Sequence, residues 1–222
     1  MDSIQHKKTL VEQVYDILLD AICSGELPAG ERLNQDEIAI RLNVSRQPVN
    51  SAISILKAHD FVRDTGRRSV AVTDIRKDQY NSIYEFRAVV EPFAVQLASQ
   101  RMPDGAGWAA EAIMREGREA LQVGDTKRLL KADVRFHEMI YSWSGNHVIA
   151  ASMRANWPHM MRAMAEILRD RTLAEQAWND HQNILDALLS RNSDDAVAAM
   201  KTHIRNAMEK TVVFFKDRKP EK

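Results

Sequence analysis

The chain has 222 residues, a formal net charge of zero and an apolar content of 45%, enough for one large domain or two ordinary ones with real cores. No apolar run has membrane-spanning length and the N-terminus carries no secretory stretch, so we expect a cytoplasmic protein without a membrane partner. Cys23 is the sole cysteine, which excludes an internal disulfide. The neutral charge means that any nucleic-acid footprint must be local.

The first 75 residues predict three helices followed by two short strands. Apolar residues recur at helical spacing before Gly25, which ends the first helix. Asn43 is expected as a left-handed cap, and Ser45 as the N-cap of the third helix. The helices are predicted at 9–24, near 35–42 and from 45 to 59; GELPAGERL is predicted as a loop, and FVRD and SVAVT as strands joined by the turn TGRR.

From about residue 76 the strand signal ends and long amphipathic patterns follow. Their lengths and glycine breaks are typical of an antiparallel all-α bundle. The predicted helices are 78–101, 106–123, 126–143, 148–168, 172–190 and 193–216. The fold class is therefore mostly α, with a winged helix-turn-helix domain at 1–75 and a helical bundle at 76–222.

The order helix, tight turn, helix and two-stranded ribbon is typical of a winged helix-turn-helix, whose second helix enters the major groove of DNA. Arg, Gln and Asn side chains on the first turn of that helix can bond base edges, and arginines on the hairpin tip can reach phosphate or the minor groove. The stretch 45–72 carries five basic and two acidic residues, so the footprint is locally basic. The candidate DNA-binding residues are Ser45, Arg46, Gln47, Asn50, Arg67 and Arg68. On pattern alone, a small helical subdomain with polar exposed residues is the alternative.

The stretch GELPAGERLNQDEIAIRLNVSRQPVNSAISILKAHDFV closely resembles the DNA-binding domain of the GntR family of bacterial regulators. The resemblance implies that Arg46 is a principal DNA contact. The chain departs from the family pattern at Gln47, where threonine is usual, at Asn50 and Ser51, where Arg-Glu is usual, and at Asp60, where glycine is usual. These departures imply an atypical operator.

Polar residues occupy positions on the apolar stripes of three bundle helices, where a core residue is expected. Asp133 and His137 share one helix face, and His181 and His203 lie on two other helices. A buried ionised carboxylate is costly unless it is paired or bound to metal. Three imidazoles and one carboxylate suit a divalent cation, zinc first, with nickel or manganese as alternatives. Taken singly, each residue is more often a hydrogen-bonded core residue than a ligand.

Residues 80–215 resemble the FCD ligand-binding domain of the FadR subfamily, in its shorter, six-helix, VanR-like variety. The matching elements are YEFRAVVE at 84–91, Asp133-x-x-Phe136-His137, Asp180-His181 with Ile184 and Ala187, and His203. In the metal-binding branch of that family an Asp and three His hold a metal, and those positions fall on Asp133, His137, His181 and His203.

Arg87 also falls on an inward stripe and needs an anion. One interpretation is an ion pair with Glu91, one turn further along, or with another bundle carboxylate. The other is that Arg87 binds the carboxylate of an effector that also contacts the metal, since the resemblance implies an arginine of this helix near the ligand. Asn206, one turn after His203, is a second candidate for lining the effector cavity.

Together these features predict a dimeric bacterial transcription repressor, not an enzyme. Its operator affinity would be controlled by a small organic or sugar acid bound at the metal. A homodimer is expected because two DNA-binding domains must fit two half-sites. Three alternatives stay open: a regulator that senses the metal alone, a metal whose role is structural, and a metal-dependent enzyme fused to a DNA-binding module.

Overall fold

The computed structural model describes residues 8–66 and 69–217. The chain divides into two compact units, Met1–Ile75 and Arg76–Lys222, which are described separately below. The described residues contain no helix long and apolar enough to cross a membrane.

In its described residues, the N-terminal unit combines three helices with a small antiparallel sheet of strand order β1-β3-β2. Its elements are α1 (Leu10–Ser24), β1 (Arg32–Leu33), α2 (Gln35–Arg41), α3 (Arg46–Ala58), β2 (Val62–Gly66) and β3 (Ser69–Val72). Strand β1 lies in the segment that the sequence predicts as a loop, so that prediction is wrong for two residues. The run is too short for an alternating pattern, and its place is set by pairing of Arg32 with Ala71 and Leu33 with Val70.

Local sequence signals fix the helix ends of this unit. Thr9 and Glu12 form a capping box at the start of α1, and Gly25 ends that helix at φ 78°. Asn43 adopts φ 52°, which confirms the left-handed position expected there. Ser45 occupies the N-cap position of α3, as expected, but its side chain makes no capping hydrogen bond.

The C-terminal unit is a bundle of long helices: α4 (Lys77–Arg101), α5 (Ala106–Val123), α6 (Thr126–Ser144), α7 (His147–Ile167), α8 (Arg171–Leu189) and α9 (Ser193–Asp217). Each bound agrees with the sequence prediction within one residue, because glycine or asparagine breaks most of the junctions and Asp170 caps the start of α8. Helix α4 packs against α6 and α9, α8 packs against α9, and α5 packs against α6 and α8.

Helices α5 and α8 approach each other at a glycine. A Cβ atom added to Gly117 would lie 1.9 Å from Cζ2 of Trp178, the nearest atom of a buried indole ring. The indole also donates a hydrogen bond from Nε1 to the carbonyl oxygen of Met114, at 3.2 Å. The missing side chain of Gly117 is therefore what allows Trp178 to sit between the two helices.

We predict that Gly117→Ala destabilises the protein by about 1–3 kcal/mol or more, because the new methyl group overlaps a ring that is held by packing and a hydrogen bond. Gly107→Ala on the same helix is the matched control. Its Cβ would meet only the Leu189 side chain, at 3.7 and 3.9 Å from the two methyl carbons, so helix propensity should make that change neutral or stabilising by up to about 1 kcal/mol. Urea unfolding of both variants tests this; equal stability of the two would contradict it.

Candidate metal centre and DNA-binding helix

The bundle brings the predicted metal-binding residues together in its core. One ring nitrogen from each of His137, His181 and His203 lies within 4.8 Å of the other two. The carboxylate of Asp133 joins them, with its Oδ1 3.4 Å from Nε2 of His181. All four side chains are buried. Helix α6 supplies two of these residues from one face, and α8 and α9 supply one each.

Several polar atoms of these four residues make no well-aligned hydrogen bond to the protein. Within the described parts of the chain, no well-aligned hydrogen bond is made by Oδ2 of Asp133, either ring nitrogen of His137 or His181, or Nδ1 of His203. Carboxylates do lie near two of these atoms, Glu91 at 3.0 Å from Nδ1 of His137 and Asp180 at 3.7 Å from Nδ1 of His203. A buried polar group without a partner costs about 1–3 kcal/mol, and native proteins contain few of them. Such a concentration of unmade hydrogen bonds fits a site built to bind a cation, and the donor set of three imidazoles and one carboxylate fits zinc and similar ions.

Burial also sets the charge state that a metal requires. It lowers the pKa of His137 and His203, and it lowers the pKa of His181 well below its ordinary value. All three imidazoles are therefore neutral at physiological pH, with lone pairs available. Burial raises the pKa of Asp133 to about 6, against the opposing influence of His203 and Arg87. Neutral histidine and ionised carboxylate are the forms that bind metals.

Aromatic neighbours hold the imidazole rings. Phe136 stacks on His181 with ring centroids 4.3 Å apart, and Trp178 meets the same imidazole edge-on at 5.0 Å. Trp157 lies 5.1 Å from the ring of His137. Aromatic side chains thus form an apolar wall around the imidazole rings, which lowers the local dielectric around the cluster.

Arg87 pairs with Glu91 inside the bundle, and the two side chains are 1% and 0% exposed. Nε of Arg87 donates to Oε1 of Glu91 and Nη2 donates to Oε2 at 3.3 Å. Burial opposes both charges, but mutual attraction outweighs it, so the pKa of Arg87 is raised and that of Glu91 is lowered. The guanidinium also lies over the rings of Tyr84 and Trp157. The ion-pair interpretation of Arg87 is thus what the structure shows.

Arg87 nevertheless reaches a cavity beside the cluster. The cavity opens partly to solvent, has a volume of about 30 Å³, which is room for a water-sized group or two, and its wall includes Arg87, Asp133 and His203. Apolar residues of α7, α8 and α9, among them Met164, Ala177 and Ala207, line much of the remaining wall. Arg87 can therefore remain paired with Glu91 and also contact a group bound in the cavity.

Two charged residues that the sequence analysis did not assign also line this cavity, Asp180 and Lys210. Asn206, expected there, instead donates from Nδ2 to Oδ2 of Asp180 at 3.0 Å, and the same oxygen lies 3.7 Å from Nδ1 of His203. Asn206 is therefore an indirect neighbour of the cluster. The signal for Lys210 was present in the sequence, since it follows His203 by two helical turns on one face.

The candidate DNA-binding residues of α3 are exposed, as a base-reading helix requires. Ser45, Arg46, Gln47 and Asn50 all lie at the solvent surface of the N-terminal unit. Arg46 pairs through Nε with Oδ1 of Asp36 on α2, at 2.8 Å, and both side chains remain more than half exposed. Arg67 and Arg68, predicted at the hairpin tip, lie outside the described residues.

Two family models match the chain. Residues 10–72 match the model of bacterial regulatory proteins of the gntR family, and residues 82–206 match the FCD domain. Among curated relatives, the Nta operon transcriptional regulator of Aminobacter aminovorans is 27% identical over 79% of this chain and 82% of its own length. The gluconate operon transcriptional repressor of Bacillus licheniformis is 26% identical over 86% of this chain and 75% of its own length.

Solved structures agree with these matches. McbR/YncC of E. coli superposes with a TM-score of 0.82 at 18% identity, covering 94% of this chain and all of that one. A GntR regulator from Rhodococcus sp. RHA1 superposes with a TM-score of 0.79 at 25% identity, covering 91% and 97%. The family consists of transcription regulators, which confirms the prediction that the chain is not an enzyme. The chain belongs to the GntR family of bacterial transcription regulators and carries an FCD domain after its helix-turn-helix domain.

Proposed function

We propose that this regulator is a homodimeric repressor whose affinity for operator DNA is controlled by a small organic or sugar acid bound beside a divalent cation, zinc first among the candidates. Asp133, His137, His181 and His203 would hold the cation. The observation that carries the proposal is the set of buried polar atoms on these four residues that make no well-aligned hydrogen bond, next to a cavity that Arg87 lines.

When bound, the cation would supply positive charge and open coordination positions for a carboxylate oxygen. The residues of the chain supply the rest of the recognition. Arg87 presents a planar guanidinium, whose paired N–H groups suit a carboxylate. The narrow cavity limits the size of the group that can enter, and burial of Arg87 and Asp133 strengthens a charged contact there.

Two FCD-bearing chains are expected in the active form, because paired DNA-binding domains read paired half-sites. An apolar stripe on α4 supports this proposal. Phe86, Val89 and Phe93 follow one helix face and are 38%, 73% and 49% exposed. Exposed apolar side chains in a row are typical of a surface that another protein covers.

A metal-sensing regulator without an organic effector is the second candidate, favoured by the burial of the cluster. It differs in one measurable respect. Chelation alone would change operator affinity in a metal sensor, whereas in the proposed regulator chelation mainly abolishes the response to acid.

We predict that at least one acid from a panel of small organic and sugar acids changes operator affinity of the zinc-loaded dimer by roughly 5–150-fold, the usual range of allosteric coupling. The operator is first selected from random DNA on the purified protein, and affinity is measured by fluorescence anisotropy. Arg87→Lys should weaken the acid response, because lysine keeps the charge but loses the bidentate fork. If no acid in the panel alters operator affinity, the effector proposal is wrong.

We predict that Arg46→Ala lowers operator affinity by about 1–3 kcal/mol and relaxes sequence preference, because a base-reading arginine carries specificity. The control is Arg115→Ala, which removes an exposed arginine from α5 in the other unit. Anisotropy titrations against operator and scrambled DNA distinguish the two. Unchanged discrimination by the Arg46 variant would assign base reading to other residues.

We predict that Asp133→Asn stabilises the metal-free protein at pH 7. Asp133 has a folded pKa of about 6 against an ordinary value of 3.8, so its folded form prefers to be protonated. In wild type, protonated Asp133 contributes to the free energy of unfolding near pH 4, and this contribution is lost as the pH rises through 6. The loss is on the order of 3 kcal/mol. Asparagine does not ionise, so the variant does not lose this stabilisation at pH 7.

Urea unfolding in the presence of a chelator, at pH 4 and pH 7, measures this difference. Asp194→Asn, at an exposed position of α9, is the matched control. Added zinc should reverse the sign, because the Asp133→Asn protein lacks one ligand and gains less stability from metal. Identical pH profiles for wild type and this variant would show that the carboxylate is not held in an unfavourable charged state.

A further inference from the structure

Glu91 is a buried carboxylate that contacts two different functional groups. It lies on α4, one turn after Arg87, and it is 0% exposed. On one side it accepts hydrogen bonds from the Arg87 guanidinium. On the other side it faces the imidazole of His137 on α6. One side chain therefore lies between the cavity arginine and the candidate metal cluster.

The two oxygens of Glu91 have different neighbours. Oε1 accepts from Nε of Arg87, while Oε2 receives the longer bond from Nη2, at 3.3 Å. Oε2 is also 3.0 Å from Nδ1 of His137. That separation is a hydrogen-bond distance, although the approach angle in this conformation falls outside hydrogen-bond limits. The terminal torsion of histidine is soft, so a small rotation of the ring aligns the pair.

A carboxylate at this position selects one form of the neutral imidazole. Ionised carboxylates only accept hydrogen bonds, so the ring nitrogen that faces Glu91 carries the proton. The other nitrogen, Nε2, then keeps its lone pair for a cation. Carboxylate–histidine pairs of this kind orient metal ligands in proteins and raise their basicity.

We infer that Glu91 is a positioning residue that fixes His137 as the Nδ1–H tautomer and holds Arg87 through Nε, so that a single carboxylate prepares both the metal cluster and the acid-binding arginine. This inference rests on the proposed function for the role of the metal and the acid. The same carboxylate also positions Arg87. Because Nε of Arg87 donates to Oε1 of Glu91, the guanidinium keeps a fixed place on the cavity wall.

Glu91→Gln tests the inference with almost no change in shape. The amide has one acceptor oxygen, and Arg87 offers only donors, so the oxygen turns to Arg87 and the NH₂ group turns to His137. The imidazole should then accept at Nδ1 and carry its proton on Nε2. Nitrogen-15 NMR of the metal-free, full-length protein distinguishes the two tautomers, and the His137 signals are assigned with the His137→Gln protein.

We predict the Nδ1–H form in wild type and the Nε2–H form in Glu91→Gln, together with zinc affinity lower by roughly 10–100-fold in competition with a chromophoric chelator. The matched control is Glu85→Gln, the same change at an exposed position of α4, which should alter neither quantity. Glu91→Asp serves if the amide variant does not fold. It keeps the charge for Arg87 but is one methylene too short to reach both partners, so the His137 signals should show a mixture of tautomers.

An unchanged His137 tautomer in a folded Glu91 variant, or zinc affinity within about 3-fold of wild type, overturns the inference. Circular dichroism and thermal unfolding of the metal-free variants identify a change that is only a loss of packing. Wild-type protein that binds no zinc would contradict the proposed function instead. The tautomer comparison uses no metal, so it still decides whether Glu91 positions His137.

Discussion

The C-terminal unit depends on one constraint: ionisable side chains are almost fully buried in a helical core. Three imidazoles and a carboxylate meet there, and within the described residues most of their polar atoms make no well-aligned hydrogen bond, while the nearby Arg87–Glu91 pair is mutually satisfied. The contrast is informative. Arg87 and Glu91 carry opposite charges and satisfy each other. The neutral imidazoles instead keep lone pairs, and a bound metal cation is the simplest partner for them.

Most of the fold could be predicted from the sequence because its signals are local. Glycine at 25, 105, 124 and 145 and asparagine at 43 mark helix ends through their backbone conformations, and long apolar periodicities fill the intervals. Strand β1 could not be predicted, since two residues carry no periodicity and their position is set by pairing with β3. Pairing partners distant in sequence are what a single sequence does not reveal.

In the candidate site, helical spacing predicts which residues face the core but not which contacts they make. Helical spacing placed Asp133, His137, His181 and His203 on inward faces, and the structure brings those faces together. Spacing could not show that Asn206 contacts Asp180 rather than the cavity, because a rotation of a few tens of degrees about a helix axis separates the two outcomes. Nor could it show that Glu91 reaches across to α6, since that contact depends on how closely two helices pack.

The packing of Trp178 against Gly117 also affects the position of His181 in the core. Trp178 precedes His181 by three residues, so both project from nearly the same side of α8. The indole is fixed by the surface of α5 and by the Met114 carbonyl, and this sets both the rotation of α8 about its axis and its height along the bundle. The absence of a side chain at Gly117 on α5 thus helps to fix the orientation of the His181 imidazole on α8.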